Sequence, residues 1–179
     1  FCDTELYLST SIENVDFATD NVDIAIEWGL TKRADVEVLP FFETASFVVA
    51  SPLLLRRAGQ LRHPSDLRRV TLLHNRTGDA WPQWLEAAGA DGVDASAGPR
   101  FEHCDLALTA AIEGQGAALC FDRLARIDIA EGRLVRLFNV ELPPRAIYSL
   151  AIATQRVKRP HITAVRDWLL AEAQDEPIG

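Results

Sequence analysis

The sequence predicts an α/β fold, and three observations lead there. Short β-branched or aliphatic runs, closed by turn residues, alternate with helical patterns along the chain. The helical stretches carry recognisable start and stop residues. At 179 residues the chain is long enough for one large domain, or for two small lobes joined by crossing strands.

The strand pattern is clearest at Glu5–Thr10, Val22–Trp28, Ala45–Ala50, Val70–His74, Gly116–Phe121 and Ala146–Thr154. These runs read as strands buried on both faces, and their alternation with helices suggests parallel βαβ units. Weaker strand patterns lie at Val36–Phe42, Arg100–Glu102 and Leu134–Phe138.

For the helices, Ser51 suits an N-cap, Pro52 the first helical position, and Gly59 a stop after Leu53–Ala58. Asp79 can cap a helix whose Trp81, Trp84, Leu85 and Ala88 share one face and enter the core; Gly89 ends it. A third helix is expected from Asp105 to Glu113. A last one, from Pro160, should bury Ile162, Val165, Trp168 and Leu169 on one stripe.

Composition narrows the function. The formal net charge is −8 and no Lys/Arg cluster runs along an expected helix, so the chain should repel a phosphate backbone. The densest basic stretch, Gln155 to Arg159, reads as a solvated turn. No apolar run is long enough to span a bilayer, and nothing at the start reads as a signal peptide. Three cysteines, Cys2, Cys104 and Cys120, make no disulfide framework, which favours a reducing, cytoplasmic setting.

Catalytic signatures are missing: no P-loop, no strand-following G-x-G-x-x-G, no G-x-S-x-G and no H-E-x-x-H. Gly114-Gln115-Gly116 follows a helix and enters a strand, the reverse of a dinucleotide site, and reads as a helix stop and tight turn. His103-Cys104-Asp105 is a poor metal site, because neighbouring residues point apart. Cys104 would need a base to act as a nucleophile, and only His74 could serve. Its simpler role is a small polar group at a helix N-terminus, where an anion is favoured. Cys120 reads as a core thiol.

In order along the chain come Leu8-Ser-Thr-Ser, Val15-Asp-Phe, Val22-Asp-Ile-Ala-Ile, Gly29, Ser51-Pro-Leu-Leu and Leu72-Leu-His. Asp79 to Gly89, Gly98-Pro-Arg-Phe, Ala107–Gly116, Gly132 to Phe138 and Val165–Leu170 follow. At these spacings the sequence resembles the effector-binding (substrate-binding) domain of LysR-type transcriptional regulators. The resemblance is strongest to the branch with the glycine-cleavage activator and the β-lactamase-gene activator.

That resemblance implies two Rossmann-like lobes joined by two crossing strands, like type II periplasmic-binding proteins. The crossings would be Ala45–Ser51 and Ala146–Thr154. Lobe I would hold about residues 1–48 and 152–179, and lobe II about 49–151. It also implies that a first strand–helix unit and a winged helix-turn-helix domain precede this chain, and that DNA is bound only through that domain.

A small polar or anionic effector is expected in the cleft. Its contacts carry over to Thr10, Ser11, Asp16, His74, Cys104, Phe121 and Tyr148. Relatives often have serine where Cys104 stands, and a thiol is the weaker donor. No cofactor and no membrane are expected; the partner is a second copy, with a tetramer open to the full-length protein. Two other readings share parts of this pattern: a transporter's periplasmic solute-binding protein, and a cleft enzyme using Cys104 and His74. Helix-turn-helix character upstream would mark a regulator, and a signal sequence a transporter subunit.

Overall fold

The computed structural model describes residues 5–11, 15–30, 32–75, 80–144 and 147–174. In chain order the elements are β1 (Ile24–Trp28), β2 (Val36–Phe42), β3 (Ser46–Ala50), α1 (Pro52–Ala58), β4 (Leu72–Leu73), α2 (Ala80–Ala87) and α3 (Cys104–Ile112). Then come β5 (Ala117–Phe121), α4 (Asp122–Ala130), β6 (Val135–Leu142), β7 (Tyr148–Ala153) and α5 (Pro160–Gln174). They form two compact units, Phe1–Glu43 with Arg145–Gly179, and Thr44–Pro144. The chain therefore passes between units just before β3 and just before β7, a few residues ahead of the boundaries drawn from the sequence.

The first unit is built on a three-stranded sheet of order β1-β7-β2, with β7 antiparallel to both neighbours. The central strand is apolar on both faces, and Leu150, Ala151, Ile152 and Ala153 are all buried. β1 is one-sided instead, since Ile26 and Trp28 are exposed. Two arginines hold the residues ahead of β1. Arg33 donates to the Val15 carbonyl (2.9 Å) and to both Glu27 carboxylate oxygens (3.0 and 2.8 Å). Arg156 donates to the Val22 carbonyl at 2.7 Å. Arg156 thus contradicts the reading of Gln155–Arg159 as merely solvated.

The second unit carries a four-stranded sheet of order β4-β5-β3-β6. Side chains alternate along its strands and feed two cores. Phe47, Val49, Leu73, Ala118 and Cys120 point to one face, which α3 and α4 cover with Ala107, Leu108, Ala111 and Ala125. Val48, Leu72, Ala117 and Leu119 point to the other, covered by Trp81, Trp84 and Leu85 of α2 and by Leu67. Both tryptophans are core, as their spacing predicts. Trp81 Nε1 donates to the Leu73 carbonyl (3.0 Å) and Trp84 Nε1 to that of Val140 (3.2 Å). At α1 the Ser51 hydroxyl accepts from Leu54 N and Gly59 closes the helix. Gly116 has no room for a side chain: a Cβ there would lie 2.4 Å from the Thr71 carbonyl oxygen.

Several sequence expectations are corrected. Residues 5–10 form no strand; they are irregular, with Tyr7 and Leu8 almost fully exposed, because no described strand pairs with them. Among the described residues, parallel pairing is confined to β4–β5 and the His74–Arg100 bridge, to which the Arg100–Glu102 pattern reduces. β3 and β7, which follow the two passages, run antiparallel to their neighbours, an arrangement that needs no crossover helix. Trp168 is not on a buried stripe. It is exposed and donates to Glu172 Oε1 (3.1 Å), while Ile162 is buried and Val165 and Leu169 half-buried. α4 was not foreseen, since its buried residues are Ala125 and Asp128 while Leu124 and Ile127 face outward. Asp79 and Cys2 lie outside the described residues.

Candidate functional site

Strand register places one end of the second unit's sheet beside both chain passages. Ser46, at the start of β3, is opposite Phe121 at the end of β5 and Leu142 at the end of β6. β4 runs parallel to β5, and the bridge at His74 pairs parallel with Arg100. The carboxyl ends of these parallel segments therefore share one edge, and α3 and α4 begin there. In open α/β sheets, this carboxyl edge is where ligands bind.

His74 directly follows β4 and is fully buried. Its backbone N–H donates to the Pro99 carbonyl (3.0 Å), and its own carbonyl accepts from Phe101 N (2.9 Å). Nε2 lies 2.8 Å from the Ala97 carbonyl oxygen. A carbonyl only accepts, so Nε2 carries the proton. Nδ1 has no hydrogen-bond partner among the described residues. The ring is thus a wall of this edge, held from the 97–101 side.

Cys104 is the first residue of α3, half-buried, after the extended N-cap His103. Burial, and then the neighbouring Asp105 carboxylate, pushes its thiol above the ordinary range. A nucleophilic cysteine needs the opposite shift, so Cys104 is not tuned for attack. Cys120 is buried more deeply, its thiol 3.8 Å from the Phe47 carbonyl oxygen, and burial raises its pKa further. Phe121 is half-buried and serves as the extended residue ahead of α4. Among the described residues no group of three His, Cys, Asp or Glu side chains is placed to hold a metal ion.

In the first unit the corresponding sheet end holds Tyr148. This first residue of β7 is opposite Trp28 at the end of β1 and Phe42 at the end of β2. The rings touch: Trp28 meets Tyr148 edge-on at 4.8 Å, and Phe42 lies at 4.9 Å, tilted 33°. Asp16 is exposed and organises a turn, accepting from Ala18 N (2.9 Å) while its own N–H donates to Asp20 Oδ2 (2.9 Å). Thr10 and Ser11 are exposed in an irregular stretch and do not end a strand.

The structure therefore gathers His74, Cys104 and Phe121 on one edge of the second unit. It puts Tyr148 at the passage end of the first, and leaves Thr10, Ser11 and Asp16 in irregular segments. Sequence reasoning missed Trp28 and Phe42, which frame Tyr148, and Asp122, which opens α4. An acidic residue following a buried strand was the signal available for Asp122.

Residues 2–174 match the family model described as the LysR substrate binding domain, and the chain belongs to that family. It is 34% identical over 161 residues to the glycine cleavage system transcriptional activator of Escherichia coli K12, covering 90% of this chain and 53% of that protein. To the HTH-type transcriptional activator AmpR of Pseudomonas aeruginosa it is 32% identical over 176 residues, covering 98% and 58%. The chain thus spans about half the length of the curated relatives it matches.

Among solved structures, the effector domain of Pseudomonas aeruginosa AmpR matches with a TM-score of 0.78 and 31% identity, over 95% of this chain and 81% of that one. The effector binding domain of Citrobacter freundii AmpR matches with 0.80 and 22% identity, over 96% and 84%. The fold is that of LysR effector domains, α/β and type II periplasmic-binding-protein-like. Among the described residues no helix is long and apolar enough to cross a membrane.

Proposed function

We propose that this chain is the effector-sensing part of a LysR-type transcription regulator. It binds a small polar or anionic molecule, catalyses no reaction, and acts on DNA through a winged helix-turn-helix domain outside the chain. The observation that carries the reading is the carboxyl edge of the second unit, with His74, Cys104 and Phe121 on it, in a chain of this family. The proposed contacts are Cys104, Phe121 and the wall formed by His74 in the second unit, with Thr10, Ser11, Asp16 and Tyr148 in the first. The raised thiol pKa of Cys104 favours the sensor over an enzyme using that residue. The working form is a homodimer in the cytoplasm, twofold pairing being the commonest oligomer.

A thermal-shift screen of amino acids, organic acids and cell-wall fragments tests the proposal. A ligand present at about 100 times its Kd stabilises a domain by about 2.7 kcal/mol, a shift of a few degrees. At least one class should produce such a shift. No stabilisation by any compound at millimolar concentration would contradict the proposal.

A further inference from the structure

Thr44 is the first residue of the second unit, and it is buried. Its hydroxyl donates to Asp122 Oδ1. The same oxygen accepts from Arg123 N (2.8 Å), and the Asp122 backbone N–H returns to the Ala45 carbonyl (3.1 Å). Residues 44 and 45 are thus joined to the first residue of α4 by a side-chain and a backbone hydrogen bond. The Thr44–Asp122 bond is not local, because its partners are 78 residues apart.

Asp122 directly follows Phe121, so the residue that holds the incoming chain adjoins the carboxyl edge of β5. We infer that Thr44 and Asp122 form a clasp, a positioning device that couples the chain passage into the second unit to the start of α4. A shift of Phe121 or of the α4 N-terminus has to move the clasp, and with it residues 44 and 45. This makes Thr44 and Asp122 the route by which occupancy of that edge reaches the passage. The assignment of a signal to the clasp rests on the effector reading above; the clasp itself does not.

Amide hydrogen exchange on the 179-residue chain, with no ligand added, tests the clasp. Thr44→Val keeps the shape and removes the donor, and Thr44→Ser restores it. Thr44→Val should speed exchange at the amides of positions 122 and 123 by about tenfold or more, as expected when a hydrogen-bonded element opens locally. The core amides of Val48 and Leu119 should stay as they are, and Thr44→Ser should return the wild-type rates. Should Thr44→Val not fold, Asp122→Ala removes the acceptor instead and must selectively speed the amide of position 122, which bonds the Ala45 carbonyl. Unchanged exchange at 122 and 123 would overturn the clasp. So would an equal rise across the core amides, which would mark ordinary packing. Because no effector is present, either result leaves the effector reading untouched.

Discussion

Phe42 and Tyr148 stack with ring centroids 4.9 Å apart, and between them they flank both points where the chain crosses the border of its first unit. Phe42 closes β2 just ahead of the exit, and Tyr148 opens β7 just after the return. Trp28 completes the bracket from β1. Aromatic pairs of this geometry add about 0.5–1.5 kcal/mol beyond the area they bury.

The bracket makes a stability prediction. Phe42→Ala removes a half-buried ring, so it should cost about 1–3 kcal/mol, below the range for a full core truncation. Tyr148→Phe keeps the ring stack and should change the urea midpoint little. A Phe42→Ala midpoint equal to wild type would show that the stack contributes nothing.

The tryptophans separate core from surface. Trp84 is fully buried and its indole N–H is paired, so Trp84→Ala should cost about 3–5 kcal/mol. Trp168 is 42% exposed, and Trp168→Ala should cost less than about 1 kcal/mol. Denaturant melts of the two variants check the contrast; similar losses would contradict the placement of α5.

These two residues also show what the sequence carries. β3, β5 and β7 are legible because strands covered on both faces are mostly apolar, and α1 because Ser51-Pro52 and Gly59 mark its ends. Trp168 misled because an i, i+3, i+4 pattern does not say which of its apolar side chains faces the core and which stays exposed. α4 escaped because its inner face is made by Ala125 and by Asp128, which pairs with Arg133 at 2.6 Å. The positions of Phe121 at the end of β5 and of His74 just past β4 were legible from turn residues. The Thr44–Asp122 clasp was not, because a hydroxyl–carboxylate pair distant in sequence has no local signature.

The thiols predict a response to alkali. Burial first, then the nearby Cys104, Asp122 and Asp128, raises the Cys120 pKa well above its ordinary value. In the unfolded chain a thiol ionises near pH ~8.5, so above that pH the folded state retains a proton that the unfolded state releases. The contribution is complete below about pH 8.5 and declines as pH rises. Cys120→Ala should therefore lose less stability than wild type between about pH 7.5 and about pH 9.5. Equal losses would show that this thiol is not responsible.

Charge predicts what the chain does alone. With a net charge of −8, it should give no sequence-dependent duplex shift at physiological salt. A saturable, sequence-dependent shift in a gel mobility assay would overturn the assignment of DNA contact to a separate domain.

The most direct test of effector sensing is calorimetric titration of the compound that stabilises the chain most, against wild type, Thr10→Val and Tyr148→Phe. Losing one buried hydrogen bond costs about 1–3 kcal/mol, so each variant should bind roughly 5- to 150-fold more weakly while melting at the wild-type temperature. Unchanged affinity in both variants would contradict the account and place the effector elsewhere.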